Sequence, residues 1–421
     1  MTLAKEKIAK VLLIQWIALF SITTPILAHK PQSDSTLIAY LNECGIKTTK
    51  GNEIKLLKSG HDKFIDLFKE IEKAKHHIHL EYFNFRNDSI ANTLFNLLAK
   101  KANEGVEVRA LFDAFGNSSN NQPLTKKHLK AIREKGIEIE KFDPIKFPWI
   151  NHVFHRDHRK IVIIDGKVGY TGGMNIADYY ITGLPEIGDW RDMHVRIKGN
   201  AVNDLQDIFL NMWNKCTKQK IEGDIYYPLS ENNSEMPDSD SEVAIVDRYP
   251  KQTPQIMRRA YAKAIESAEK KIQIINPYFT PTRIIKKAIK NATKKGVKVE
   301  IMIPGKSDIP FTPDAALYIA NQLRKKGADI YIYNGGFHHS KIMMVDSLYC
   351  TVGSTNLNSR SLRYDYEVNA FIFDTEPTSE LIHMFKEDQE NSTLLTVDIY
   401  KKRSVWKRFV GWFAHLFTPF L

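Results

Sequence analysis

The stretch "HRDHRKIVIIDGKVGYTGGMN", His155 to Asn175, decides how the chain is read. It sets His158 and Lys160 two residues apart at the start of an apolar run, so on a strand their side chains share one face. "IVII" is continuous rather than alternating, the mark of a strand buried on both sides. Asp165 opens the "DG" turn at an odd spacing from His158, which keeps it off the His/Lys face and assigns it to the turn or a basic partner. A lone His-x-Lys at a strand start is ordinarily surface decoration. Here it has a copy. "HHSKIMMVDSLYCTVGSTN", His338 to Asn356, carries His339, Lys341 and Asp346 at the same internal spacing, 181 residues on. Gly172 and Asn175 recur as Gly353 and Asn356, so the chain contains an internal duplication.

The repeat extends upstream. "KHHIHLEYFNF" from Lys75 matches "KKIQIINPYFTPT" from Lys270, each a strand ending in aromatics. "AKKANEGVEVRALFD" matches "IKNATKKGVKVEIMIP", a helix end, a glycine to stop it, then a strand. "KGIEIEKFD" and "KGADIYIYN" make a third matched strand. Each half therefore reads β, α, β, α, β and then the motif strand, which implies α/β units around a largely buried, mixed sheet. "SENNSEMPDSDSE", 230–242, is polar, acidic and aperiodic, and reads as the linker between a lobe at 36–229 and a lobe at 243–396.

At 421 residues, 43% of them hydrophobic, the chain is long enough for two domains and is not a disordered protein. The net charge of +11 calls for an anionic partner, either nucleic acid or acidic lipid headgroups. Cys44, Cys216 and Cys350 lie far apart with no CxxC, so neither a disulfide framework nor a structural zinc site is indicated. Residues 1–30 read as a membrane segment. Lys5, Lys7 and Lys10 precede the charge-free Val11–Ala28, whose length suits either a spanning anchor or a signal segment cleaved after Ala28; Ile26, where a small residue is usual, favours the uncleaved anchor, with the rest of the chain outside the cytoplasm. At 401–421, a helix capped by Ser404 places Trp406, Phe409, Val410, Phe413, Phe417 and Phe420 on one face. Lys407, Arg408 and His415 lie on or beside the other, as in a basic helix at a membrane interface.

Two equal half-sites suggest one active site at the lobe interface. Two lysines and two asparagine amides suit a group with two negatively charged oxygens, and a phosphodiester fits. One neutral imidazole attacks phosphorus; the other donates a proton to the leaving alkoxide and later takes one from the incoming alcohol or water. Each histidine needs an orienting carboxylate. Asp192 in "WRDMHV" and Glu367 in "YDYEVN" stand at matching places after the motifs. The lysines supply the positive charge, so no metal or cofactor is called for. His152, His155 and His338 read as rim or core polar residues, and Cys350 as packing.

These residues resemble the phospholipase D superfamily, whose signature is a pair of H-x-K-x4-D motifs followed by Gly/Ser and Asn. The likeness to bacterial cardiolipin synthases is closer still. It is carried by "HHIHLEYF", "GVEVRALFDAFG", "NHVFHRDHRKIVIIDGKVGYTGGMNIADYY", "DWRDMHVRI", "IMIPGKSD" and "YEVNAFIFD", between about Leu56 and Asp388. The resemblance implies two similar α/β lobes, each a mixed, mostly parallel sheet flanked by helices, packed with pseudo-twofold symmetry around one site. It implies a catalytic set of His158, Lys160, Asp165, His339, Lys341 and Asp346, with His158 as nucleophile and His339 as acid and base. Asn175, Asn356 and Ser354 would hold the phosphate oxygens with the lysines. Gly173 stands where many relatives have Ser, so a hydroxyl contact is lost on that side. The implied reaction joins two phosphatidylglycerol molecules into cardiolipin and releases glycerol, at the bacterial cell membrane and without nucleic acid. Two departures stand out: one hydrophobic N-terminal segment instead of two, and "VDRYPKQ" (Val246 to Gln252) where relatives often carry Ser-Gly-Pro. Water as acceptor, making a hydrolase, and a nuclease are the competing readings.

Overall fold

The computed structural model describes residues 32–144, 154–228, 239–309 and 312–418. The expected anchor, His152, Phe420 and most of the linker lie outside them. The first lobe contributes β1 (Thr49–Leu57), β2 (His77–Tyr82), β3 (Glu107–Asp113), β4 (Glu138–Phe142), β5 (Ile161–Ile164), β6 (Val168–Gly172), β7 (Trp190–Arg191) and β8 (His194–Lys198). The second contributes β9 (Ser241–Arg248), β10 (Lys271–Ile275), β11 (Lys298–Pro304), β12 (Asp329–Tyr333), β13 (Phe337–His338), β14 (Ile342–Val345), β15 (Tyr349–Gly353), β16 (Glu367–Phe373) and β17 (Ser392–Leu394). β9 thus opens at Ser241, within the stretch the sequence assigned to the linker.

The two lobes share one 15-stranded sheet, in the order β4-β3-β2-β5-β6-β8-β1 and then β9-β16-β15-β14-β10-β11-β12-β17. Helical crossovers make β2, β3 and β4 parallel, and likewise β10, β11 and β12. The motif strands enter antiparallel, because the short turns at Asp165 and Asp346 leave no room for a crossover. The sheet is therefore mixed, with its parallel strands lying away from the lobe boundary in each half and β17 closing the second lobe's edge antiparallel to β12. The lobes meet at β1 and β9, where Thr49 pairs with Val243 and Asn52 with Ser241.

The apolar run behaves as its composition demands. Ile161 and Ile163 of β5, with Ile342 and Met344 of β14, enter a core common to both lobes, roofed by Phe209, Trp213 and Phe385. Val162 and Ile164 point the other way, into the first lobe's outer core with Leu67 and Ile78. Met343 and Val345 do the same in the second lobe. Each large aliphatic side chain removed from water in these strands contributes roughly 1.5–3 kcal/mol.

Asp165 and Asp346 close the turns that follow. Both adopt left-handed backbone, φ 53° and 52°, which Asp tolerates better than most residues. The Asp165 carboxylate accepts the backbone N–H of Lys75, His76 and His77 at 2.8, 2.8 and 3.0 Å. Asp346 accepts those of Glu269, Lys270 and Lys271 at 2.8, 2.7 and 2.8 Å. The carboxylates therefore tie the motif hairpin to the neighbouring strand, as their odd spacing implied, and do not reach the histidines.

Two segments sit elsewhere than their sequence position suggests. Helix Gln32–Glu43, counted with the first lobe, buries Leu37 and Leu41 in the second lobe's core beside Met257 and Tyr261. The C-terminal helix Val405–His415 is docked on helix Thr312–Arg324. Gly411 permits the approach, since a Cβ there would stand 2.6 Å from the Asp314 carbonyl oxygen. Arg403 pairs with Asp314, and the His415 ring lies 4.5 Å from that of Tyr318. The aromatic face stays outward: Trp406, Phe409, Trp412, Phe413, Leu416 and Phe417 are all exposed, while Val410 is partly covered.

Candidate active site

His158 and His339 come together across the lobe boundary, and each is held by a carboxylate from the opposite lobe. His158 Nδ1 lies 3.0 Å from Glu367 Oε1, and His339 Nδ1 lies 2.6 Å from Asp192 Oδ2. Backbone pairing fixes both crossings. His158 N–H donates to Tyr366 O at 3.0 Å, and Tyr366 N–H to Arg156 O at 2.9 Å. On the other side β13 pairs with β7, and His339 N–H donates to Arg191 O at 2.6 Å. With Nδ1 of His158 committed to a carboxylate, its Nε2 is the nitrogen left for chemistry, whereas on His339 the Lys341 ammonium lies 2.9 Å from Nδ1 and 3.0 Å from Nε2.

Lys160 and Lys341 lie beneath the histidines. Their ammonium groups donate to the carbonyls of His158 and His339 at 2.6 and 2.5 Å. Burial pushes Lys160 down to about 7 and Lys341 down to about 8, with Glu367 and Asp192 respectively opposing the shift. Burial also drives Glu367 up to about 7, against the pull of Lys160 and the Ser354 hydroxyl. Asp192 ends below its ordinary value: burial raises it, but Lys341 and His339 outweigh that. Burial lowers both histidines, so their neutral forms are favoured in this cluster of cations.

Asn175 and Asn356 line the same cavity, and each keeps a buried side-chain oxygen with no protein partner. Amide oxygen and nitrogen exchange by a half-turn, so either can present N–H groups to an anion. The cavity encloses about 560 Å³ between the lobes, walled by Phe83, Tyr179, Tyr180, Trp190 and Tyr278. Phe83 meets the His158 ring edge-on at 5.1 Å, and Trp190 meets that of His339 at 5.3 Å.

Ser354 and Gly173 correct the sequence reading. Ser354 is fully buried and donates its hydroxyl to Glu367, away from the cavity. At Gly173 a side chain would overlap the Asp192 carboxylate. The longer Glu367 leaves space for a serine behind it, whereas the shorter Asp192 requires glycine. No hydroxyl contact to a phosphate is therefore lost; the two positions are matched to their carboxylates.

Several residues escaped the sequence reading. Arg159 joins Asp247 of the second lobe at 2.5 Å and Glu81 at 3.3 Å, and Arg156 pairs with Asp113 at 2.9 Å. Lys63 is fully buried, donating to the carbonyls of Met174 and Asn175 at 3.0 and 2.9 Å. The Asp165 and Asp346 caps place Lys75 and Glu269 at equivalent positions, so the second-lobe counterpart of Lys63 is Met257. Its signal in the sequence was a lysine on the apolar face of helix Gly60–Glu72, in register with Leu67 and Ile71. Of the flanking histidines, His338 is buried against Asp388, and His155 bonds the Tyr364 carbonyl at the surface. Among the described residues no cluster suited to a metal ion occurs.

Two outcomes follow from this geometry. Gly173→Ala should displace Asp192 from His339 and lower kcat on the order of 100-fold. The double change Gly173→Ser/Asp192→Glu, which copies the other half-site, should recover part of that loss; no recovery would dissolve the matched-pair account. Secondly, both lysines are charged below their values of about 7 and about 8 and lose charge above them, so kcat/KM for an anionic substrate should fall as pH rises through that range. Lys341→Arg keeps its charge at every working pH. Its alkaline limb should move upward, and an unmoved limb would exclude Lys341 from setting it.

The family described as "Cardiolipin synthase, PLD-like domain" matches residues 67–213 and 261–389, one stretch in each lobe. A cardiolipin synthase of Oceanobacillus iheyensis is 38% identical over 375 residues, 89% of this chain and 76% of that protein. One from Staphylococcus aureus strain Mu50 is 39% identical over 376 residues, 89% of this chain and 74% of its own. Among solved structures, phosphatidylserine synthase of Haemophilus influenzae Rd KW20 superposes with a TM-score of 0.65 at 16% identity, covering 87% of this chain and 95% of the other; it speaks for the fold alone. With matches spanning both motif strands and both lobes, the chain belongs to the cardiolipin synthase family of phospholipase D-like proteins.

Proposed function

We propose that the chain transfers a phosphatidyl group from one phosphatidylglycerol to another, yielding cardiolipin and glycerol through a phosphatidyl-histidine. The observation that carries this reading is the pair of carboxylate-held histidines facing one cavity, with a buried lysine and an asparagine beside each. Neutral His158 Nε2 attacks phosphorus; the bond to the glycerol oxygen breaks, and protonated His339 gives that oxygen its proton. His339, now neutral, takes the proton from a hydroxyl of the second phosphatidylglycerol. The resulting alkoxide attacks phosphorus, the P–N bond breaks, and His158 is regenerated. Lys160 and Lys341 counter the charge on the phosphoryl oxygens throughout, in positions fixed before substrate arrives. The phosphodiester's own charge favours the protonated lysines and the protonated His339 that the first step requires.

The setting is a bilayer surface. The outward aromatic face of Val405–His415, flanked by Lys401, Lys402 and Lys407, suits an anionic membrane. The helix beneath it, Thr312–Arg324, supplies Thr312 and Ala315 to the cavity wall, so docking there brings the cavity towards the lipid. No described helix is long and apolar enough to cross a membrane. Val11–Ala28, as an anchor with its lysines in the cytoplasm, puts the lobes on the outer face of the bacterial cell membrane.

Incubation with phosphatidylglycerol alone, beside a His158→Ala control, should give cardiolipin and free glycerol by mass spectrometry, absent from the control. Phosphatidic acid as the sole product would make the chain a hydrolase, and cleavage of DNA without any lipid product would make it a nuclease. Phe409→Glu/Phe413→Glu should weaken co-sedimentation with phosphatidylglycerol vesicles roughly 100-fold, from about 1.5 kcal/mol for each aromatic, without lowering thermal stability. Undiminished sedimentation would remove this helix from the membrane contact.

A further inference from the structure

The proposed reaction brings two phosphodiesters into one cavity, and the catalytic lysines serve only the one that reacts. The second phosphate, carried by the acceptor lipid, needs a cation of its own. Lys160 and Lys341 are buried beneath the histidines, and each ammonium is already bound to a carbonyl of its own motif. Among the described residues that line the cavity, the one arginine or lysine is Arg360. Its Nε donates to Asp365 Oδ2 at 3.0 Å, and its guanidinium lies 5.7 Å over the Phe115 ring. Asp365 is itself buried and accepts Arg156 N–H at 3.1 Å, so the arginine is aimed by the same structure that joins the lobes. Neither terminal nitrogen of Arg360 has an acceptor among the described residues, and the side chain is 39% exposed. A guanidinium held at Nε, with both terminal nitrogens free of acceptors among the described residues, is able to take a phosphate by two parallel hydrogen bonds.

The duplication sharpens the point. With the 181-residue offset that relates Asn175 to Asn356, the first-lobe counterpart of Arg360 is Tyr179, which also lines the cavity. The two halves thus repeat the groups that act on the reacting phosphate but differ four residues further on, where only one side carries a charge. A cation present once suits a group present once.

We propose that Arg360 binds the phosphate of the acceptor phospholipid, and so selects an anionic lipid over water as the alcohol that resolves the phosphatidyl-enzyme. The proposal rests on the phosphatidyltransferase reading given above. Its test compares two reactions of Arg360→Gln in phosphatidylglycerol vesicles. One is cardiolipin formation; the other is exchange of labelled free glycerol into phosphatidylglycerol, which uses the same phosphatidyl-enzyme but an acceptor with no phosphate. The ratio of cardiolipin formed to glycerol exchanged should fall roughly tenfold or more, with phosphatidic acid rising, since a charge-assisted pair to phosphate is lost. Arg360→Lys, which keeps the charge but not the fork, should restore part of the ratio. A ratio unchanged in Arg360→Gln, or both reactions falling together, overturns the assignment. A wild-type chain that exchanges glycerol but makes no cardiolipin overturns it too, and one that does neither sinks the underlying reading as well.

Discussion

Each histidine borrows its carboxylate from the other lobe, and the rest of the structure depends on that exchange. A lobe alone would present a histidine without the group that fixes its tautomer, so the site exists only where the lobes are docked. This accounts for charge buried at the boundary. Arg159 reaching Asp247 across the boundary, and Arg156 paired with Asp113 within the first lobe while its backbone N–H donates to Asp365, are costly to desolvate and are weak evidence of stability in themselves. Their worth is registration. A buried pair broken by a shift of one lobe loses about 3–5 kcal/mol, so sliding of the kind that would part His158 from Glu367 is strongly opposed. The common core under β5 and β14 supplies the attraction, and the Arg159–Asp247 pair with the Arg156–Asp365 backbone bond chooses the alignment.

The same burial that aligns the lobes also governs the charge states of the site. Lys160, Lys341 and Lys63 are all buried, facing Asp192 and Glu367, and burial is the largest influence on every one of these groups. Burial thus pulls the lysines down and pushes the Glu367 carboxyl up, each towards its uncharged form. In the reaction proposed above, a phosphodiester entering the cavity would restore the lysines to their charged forms and so couple binding to proton uptake. It also replaces water with donors already in place, the condition under which electrostatic stabilisation of a phosphoryl transition state is largest.

Much of this was legible in the sequence, and the rest was hidden for definite reasons. The motif pair, the apolar strands and the turn carboxylates were readable because each rests on spacing within one short segment: two residues for a shared strand face, and seven from the histidine to an Asp at the strand's end for a turn. Asp192 and Glu367 could be named from their matching positions. That each serves the opposite lobe's histidine could not, since it depends on two strand pairings between segments over 100 residues apart. Ser354 was misread because its role is set by the length of the Glu367 side chain across the sheet. Helix Gln32–Glu43 was assigned to the nearer lobe because sequence position carries no information about which core a short amphipathic helix covers. The C-terminal helix was read well as a pattern and less well as a surface. Gly411, which decides the docked side, looks in sequence like a mere weakness in the helix.

Where the repeats diverge, the chemistry divides. A perfectly duplicated site would offer two equivalent histidines, yet attack at phosphorus needs one neutral and departure of an alkoxide needs one protonated. The backbone supplies equivalence; the substitutions remove it. Aspartate with glycine behind it holds His339 closely, while glutamate backed by Ser354 holds His158 at a longer distance and shares its charge with a hydroxyl. The lowered Asp192 favours a proton on His339, and the raised Glu367 does less for one on His158, in keeping with the roles proposed for them above. Lys63 deepens the difference, since its counterpart Met257 brings no charge to the other half. Duplication alone builds a pocket for a phosphate; three or four unmatched side chains give that pocket a direction.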